Sequence, residues 1–398
     1  MLYQKIIKRL EDSKNPLLGP NIAGLYWFGL WQGQRKYRDA LFNFIHFCSL
    51  LYVISQFVEL YFMEKDLMNI LFNVAITALA LVSIAKTLFF LTYIKKWRVL
   101  IKNISSEEID ALAQGDAKVL KYMSQYKEHS RLVTYLYWSV MFLTTIVTIL
   151  SPFFKFTSNN FRELVKNGTE PLPLIMSSWF PFNHTVMPGY LVAVTVHISM
   201  IIQGPGVIAV YDSTAVSIMS FLKGQMQILR YKCENIFGEG KISRDEILNN
   251  IKECHRLHNF FIEQYKIFNS NISPVMFIYM LVCSIMICCS VVQLSLGKQT
   301  MSQKLWVCEY TMALAVQLFL YCWHSNEIAY ESKSVDMGVY TSNWWKGDVE
   351  IRRQILLLAG KLAPTFILEA GPFTTFSMST FIDVIYTRYY YIFFILFA

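Results

Sequence analysis

The sequence predicts an all-α membrane protein: seven transmembrane helices, N-terminus cytosolic and C-terminus extracellular, with helices extending into a cytosolic anchor region. Three observations predict it. Apolar residues make up 54% of the 398 and charged residues only 16%, with a mean hydropathy of +0.36, too apolar for a soluble domain of this length. Seven stretches approach the roughly 20 apolar residues that a helix needs to cross the bilayer core. Lys and Arg fall mostly on one side of those stretches.

The spans read as 41–62, 69–94, 133–153, 189–212, 272–296, 305–325 and 373–397. The segment 1–40 before them, with MLYQKIIKRLEDSKNP at its start, is charged. It has no apolar core ahead of a cleavage site, so it reads as retained and cytosolic. Twenty-eight of the 36 Lys and Arg lie before span 1 or in the 2–3, 4–5 and 6–7 connections. Seven lie on the other side, and Lys86 sits within span 2, where it can snorkel to the cytosolic face. The net charge of +8 therefore reports membrane orientation, not nucleic-acid binding. The sequons at Asn167 and Asn183 fall in the predicted outer loop 154–188. Those at Asn103 and Asn271 are predicted cytosolic and unmodified. The eight cysteines show neither an outer-loop pair nor zinc-type spacing, so they read as apolar filler.

The cytosolic connections carry their own helices. Spans 41–222 lead into a helical connection, 223–271, in which Ile247, Ile251, Cys254, Leu257, Phe261 and Tyr265 recur at three-to-four spacing. Ser243 with Glu246 forms a capping box at its start. Spans 5 and 6 occupy 272–325. In 326–371, Ile351, Ile355, Leu358 and Leu362 form one stripe. Such a stripe needs an apolar partner, either helices of the same chain or a second subunit. Pro364 and Gly371-Pro372 interrupt helix, and a new helix, 372–398, is expected to start near Pro372.

On that last helix Phe376, Thr380, Asp383, Thr387, Tyr390 and Phe394 share one face at 100° per residue. Met378, Ile382, Ile385, Tyr389, Ile392 and Leu396 share the opposite one. A carboxylate at bilayer depth costs a few kcal/mol unless it meets water or a partner. A polar stripe of this kind suits a wet lumen shared by several copies, with Phe394 and Phe397 near a narrow mouth. Two further readings stand beside it: the tyrosines as an interfacial belt with the Phe residues in lipid, and Asp383 paired with Arg388 or with a neighbour in the bundle.

The segments SNEIAYESKSVDMGVYTSNWW (325–345), RRQ (352–354) and SMSTF (377–381) with YYYIFF resemble the C-terminal signature of the insect odorant-receptor family. The matching elements are Asn326-Glu327, Glu331-Ser332, Tyr340, Ser342, Trp344, Arg353-Gln354, Ala370-Gly371, Ser377 and Phe381. The resemblance implies an odorant-gated, non-selective cation channel subunit in the plasma membrane of sensory neurons, with no cofactor and no enzymatic activity. Its implied partners are a small volatile ligand, co-receptor subunits in a heterotetramer, the lipid bilayer and permeating cations. It further implies that the last span lines the pore, with the gate position on Phe394, where the family more often has a small aliphatic residue. The cytosolic segments would join subunits, here through Tyr340, Trp344, Ile351, Ile355 and Leu358. This chain resembles a tuning member, since it lacks the co-receptor's long 4–5 insertion. The odorant site, carried over by depth, falls on Phe72, Asn73, Ile76, Met141, Thr144, Thr145, Thr148, Tyr190, Val194, Trp306 and Tyr310. The alternative is a seven-span receptor signalling through cytosolic proteins. That reading lacks Asp-Arg-Tyr after span 3 and Asn-Pro-x-x-Tyr in span 7, and the predicted orientation runs against it. No P-loop, zinc-protease helix or nucleophile elbow is present.

Overall fold

The long apolar runs become long helices. In the computed structural model the described residues are 10–33, 35–63, 67–150, 152–153, 156, 159–167, 172–238, 243–295 and 301–386. In order, the helices are α1 (Gly19–Trp27), α2 (Lys36–Phe62), α3 (Leu67–Thr92), α4 (Ile94–Gln114), α5 (Ala117–Leu150) and α6 (Asn159–Lys166). They continue with α7 (Gly189–Glu234), α8 (Arg244–Ser295), α9 (Met301–Ser332), α10 (Val335–Thr341) and α11 (Val349–Leu362). A last helix, α12, starts at 378 and is described to 386.

Among the described residues five helices, or stretches of them, are long and apolar enough to cross a membrane: Lys36–Phe62, Ile70–Thr92, Ala117–Leu150, Gly189–Glu234 and Arg244–Leu294. They hold most of each of the first five predicted spans. The sixth predicted span lies in α9, which is 32 residues long but diluted by polar residues such as Glu309 and Gln317. Most of the seventh lies outside the described residues.

As expected, spans 4 and 5 run on beyond bilayer length, as the 46-residue α7 and the 52-residue α8. The capping box is in place: Glu246 N donates to Ser243 Oγ at 3.2 Å and Ser243 N to Glu246 Oε2 at 2.8 Å. Two orphan donors of the first turn are thereby satisfied. The end of the bundle that holds α4 and the start of α8, here the inner end, is solidly packed. Between Val207 and Leu229 nearly every residue of α7 is buried. The N-terminal segment is wedged into it. Leu17, Leu18, Leu25 and Leu30 are buried, and the Asn21 amide donates to Ser213 Oγ at 3.3 Å. Arg131 clasps Glu11, with Nε 2.7 Å from Oε1, and donates to the Leu17 carbonyl.

The stripe Ile351, Ile355, Leu358 and Leu362 is buried against α8 and α10 of its own chain. Asp348 caps α11 by accepting from Ile351 N at 2.8 Å. The last helix does not begin near Pro372. Glu369–Ala370 (β1) pairs antiparallel with Thr374–Thr375 (β2), and Gly371-Pro372 lies in the turn between them. Gly371 takes φ +68°, a left-handed conformation that suits glycine. A Cβ there would lie 2.6 Å from the Phe277 ring. Helix resumes only at 378, where Ser377 Oγ accepts from Thr380 N at 3.1 Å.

Candidate functional site

Towards the outer end the helices diverge and leave a cavity of about 1970 Å³. Its wall comes from α2, α3, α5, the middle of α7 and α9, with Gln293 from α8. The loop 174–178 forms its roof. That loop is held down at several points: Asn73 Nδ2 donates to Ser177 O at 3.2 Å, Trp179 N to Ser55 O at 3.3 Å and Tyr190 OH to Pro173 O at 3.0 Å. Ser178 Oγ and His197 Nε2 lie 2.7 Å apart. The lining is mostly aliphatic and aromatic with scattered hydroxyls, the usual make-up of a small-molecule site. Its volume exceeds the roughly 300–1,000 Å³ of ordinary ligand pockets. Phe47, Leu136 and Met312 line it and are 55%, 58% and 63% exposed, so it also opens sideways between helices.

The structure brings Phe72, Ile76, Met141, Thr144, Thr145, Thr148 and Tyr310 together on this wall. Asn73, Tyr190 and Val194 are not part of it. Asn73 is spent on the roof loop and on Thr77, whose hydroxyl donates to its Oδ1 at 3.1 Å. Tyr190 and Val194 join Ile175 and Ile201 in a separate small core under the outer loop. The physical reason is a loop that folds down over the helix ends. It claims side chains that depth alone would assign to the cavity. The Trp306 side chain lies outside the described residues.

The inner floor of the cavity is polar. Lys86 does not snorkel. It is fully buried, with Nζ 2.5 Å from Asp212 Oδ1, and the rings of Tyr211 and Tyr279 lie 5.5 Å from that nitrogen. A charge so far from solvent persists only when paired and hydrogen-bonded. Asp212 also accepts from Tyr321 OH at 2.6 Å, Gln317 Nε2 at 2.5 Å and Tyr137 OH at 3.0 Å. One carboxylate thus ties α3, α5, α7 and α9 together. Tyr137 and Gln317 reach both this knot and the cavity. Both were missed in the sequence, although a signal existed. Tyr137 lies four residues before Met141, and Gln317 seven after Tyr310, so each extends a named face by one or two turns. Ser83 and Thr87 extend the Ile76 face in the same way. His324, unaccompanied on its own helix, has a partner on α5: His129 Nε2 lies 3.0 Å from its Nε2.

Of the pore residues, Thr387, Tyr390, Phe394 and Phe397 lie outside the described residues. Asp383 is exposed, beside exposed Ile382 and Tyr386. Phe381, Val384 and Ile385 turn towards the chain's own core, Phe381 with its ring 5.6 Å from that of Phe319. Phe376 is fully buried beside Tyr321. Of the interface residues, Ile351, Ile355 and Leu358 are spent inside the chain, whereas Tyr340 and Trp344 are exposed. So are Leu356 and Leu357, on the opposite face of α11. Asn167 and Asn183 are exposed. Asn271 is fully buried, and Asn103 donates to Gln264 Oε1 at 3.1 Å.

The 7tm Odorant receptor family model matches residues 66–389. Odorant receptor Or2 of Anopheles gambiae is 19% identical over 385 residues, 94% of this chain and 96% of that one. Odorant receptor 46a, isoform B, of Drosophila melanogaster is 25% identical over 193 residues, and that match spans 48% of its length. Among solved structures, the olfactory receptor OR5 of Machilis hrabei superposes with a TM-score of 0.78 at 15% identity, covering 99% of this chain and 98% of that one. Its complex with eugenol gives the same TM-score at 16% identity, covering 97% and 99%. With a family model spanning most of its length and a matching helical membrane fold, the chain belongs to the 7tm Odorant receptor family.

Proposed function

We propose that this chain is a tuning subunit of an odorant-gated, non-selective cation channel in the plasma membrane, working beside co-receptor subunits. The observation that carries the reading is the roofed, mostly apolar cavity between helices in a chain of the odorant receptor family. A related fold has been solved in complex with eugenol, which supports a small volatile as occupant. The pore is formed by the last helix of each subunit, with Asp383, Thr387 and Tyr390 towards the lumen and Phe394 at the gate. The exposure of Asp383, away from the chain's own core, supports that orientation. The subunit interface uses the exposed apolar residues Tyr340, Trp344, Leu356 and Leu357. Ile351, Ile355 and Leu358 contribute indirectly, by fixing α11. Asn167 and Asn183 are glycosylated in the outer loop.

The test is expression in oocytes with and without a co-receptor subunit, against a panel of volatile alcohols, esters, aldehydes, terpenoids and aromatics. Evoked cation current that requires this chain supports the reading; its absence across the panel with the chain at the surface rejects it. Phe394→Ala is expected to raise resting current, and unchanged leak and ion selectivity would remove the gate assignment. An epitope tag exposed outside at the N-terminus would favour a receptor that signals through cytosolic proteins.

A further inference from the structure

The floor of the cavity has a fixed polarity. A carboxylate offers about four lone-pair sites, and those of Asp212 are taken by Lys86, Tyr321, Gln317 and Tyr137. Every group against it must be a donor. The Gln317 amide therefore has to turn its NH₂ edge to Asp212, because the flipped amide would set a carbonyl against an anion. Among the described residues Oε1 accepts no hydrogen bond, and the amide's second N–H is not engaged by Asp212. Gln317 is only 6% exposed and lines the cavity, so that oxygen is an acceptor held in place by a buried charge.

The hydroxyls on the neighbouring wall add to this polarity. Ser83 Oγ donates to Gly204 O at 3.1 Å and Thr87 Oγ1 to Ser83 O at 3.0 Å. Thr144 and Thr145 both donate to Met141 O, at 3.1 and 2.7 Å. Their protons are engaged, and lone pairs are what they leave for a guest. Among the described residues the amide nitrogens of Gln56 and Gln293 and Nε2 of His46 have no partner, but those atoms are sealed from the free space.

We infer that this cavity selects volatiles bearing a hydroxyl group, whose proton is accepted by Gln317 Oε1, over ethers and carbonyl compounds of the same shape. The inference rests on the cavity being the odorant site proposed above. A hydroxyl replaces its lost water with a protein acceptor. An ether or carbonyl oxygen leaves Gln317 Oε1 unpaired, and an unmade buried hydrogen bond weakens binding about tenfold.

The probes are two isosteric sets: 1-octanol, 1-methoxyheptane and octanal, and benzyl alcohol, anisole and benzaldehyde. They are tested on the full chain for evoked current with a co-receptor, and on the purified chain for ligand-induced thermal stabilisation. The alcohol is expected to act at about tenfold lower concentration than its set-mates. Gln317→Leu is expected to erase that difference at normal surface density. In Lys86→Met/Asp212→Asn the amide is free to turn, so the carbonyl compounds are expected to gain on the alcohols. Equal potency of alcohol and ether, an alcohol preference that survives Gln317→Leu, or stabilisation by none of the six overturns the inference. Stabilisation that favours alcohols without evoked current upholds it and removes the channel reading instead.

Discussion

The two halves of α7 have similar apolar composition and opposite surroundings. From Val207 to Leu229 nearly every side chain is buried, whereas Leu191, Val192 and Ile202 are about half exposed. At the inner end α5, α8, α9 and the wedged N-terminal segment converge on it. At the outer end the neighbours splay, and the space becomes the cavity. Hydrophobicity alone therefore does not distinguish scaffold from site in this fold; the convergence of neighbouring helices does.

The largest expected effect lies where the two regions meet. Lys86→Ala leaves the Asp212 carboxylate buried without its counter-charge, a change that costs about 3–5 kcal/mol. It should strongly lower both the melting temperature of the detergent-solubilised chain and its level at the cell surface. Lys86→Met/Asp212→Asn removes both charges and should recover most of that loss. Failure of the double variant to recover would show that the knot does more than neutralise charge.

The inner region has a second buried carboxylate. Glu108 accepts from Leu17 N at 3.1 Å and Tyr126 OH at 2.9 Å. Burial nonetheless pushes its pKa up to about 7 from the ordinary 4.5. The sign follows from which state ionises first. Between pH 4.5 and 7 the unfolded chain gives up this proton and the folded chain keeps it. Stability therefore falls as pH rises through that window and levels off above it, by roughly 3 kcal/mol in all. Melting measured from pH 8 down to 5.5 should show stabilisation on acidification, and Glu108→Gln should flatten the slope.

Two glycines of α7 sharpen the contrast at smaller scale. A Cβ on Gly224 would lie 2.3 Å from the Tyr126 ring, whereas one on Gly204 meets only Ser83 Oγ, at 3.9 Å. Gly224→Ala should cost about 1–3 kcal/mol through overpacking. Gly204→Ala should be neutral or stabilising by up to about 1 kcal/mol, as expected of alanine in a helix. Equal melting temperatures for the two variants would contradict the packing difference.

The fold was legible because bilayer thickness sets a length that an apolar run either meets or misses. The extended α8 and its cap were legible because a helical period and a Ser-x-x-Glu box are local signals. The cavity wall was legible in part, from depth and helical face. What was not legible depended on distant partners. Lys86 resembles a snorkelling lysine until Asp212, 126 residues away, is placed beside it. Tyr190 and Asn73 resemble pocket residues until the outer loop takes them. The stripe on α11 announced an apolar partner without saying that the partner was its own chain. The start of the last helix was misplaced because Gly-Pro marks a turn as readily as a helix start.

The most direct test compares two tryptophans of opposite placement. Ile76 is buried on the cavity wall, while Leu143, on the outer half of α5, is 62% exposed and turned away from it. With surface density matched, Ile76→Trp should shift the half-maximal odorant concentration at least about tenfold, and Leu143→Trp should leave it unchanged. Unchanged potency in Ile76→Trp would contradict the assignment of this cavity as the odorant site.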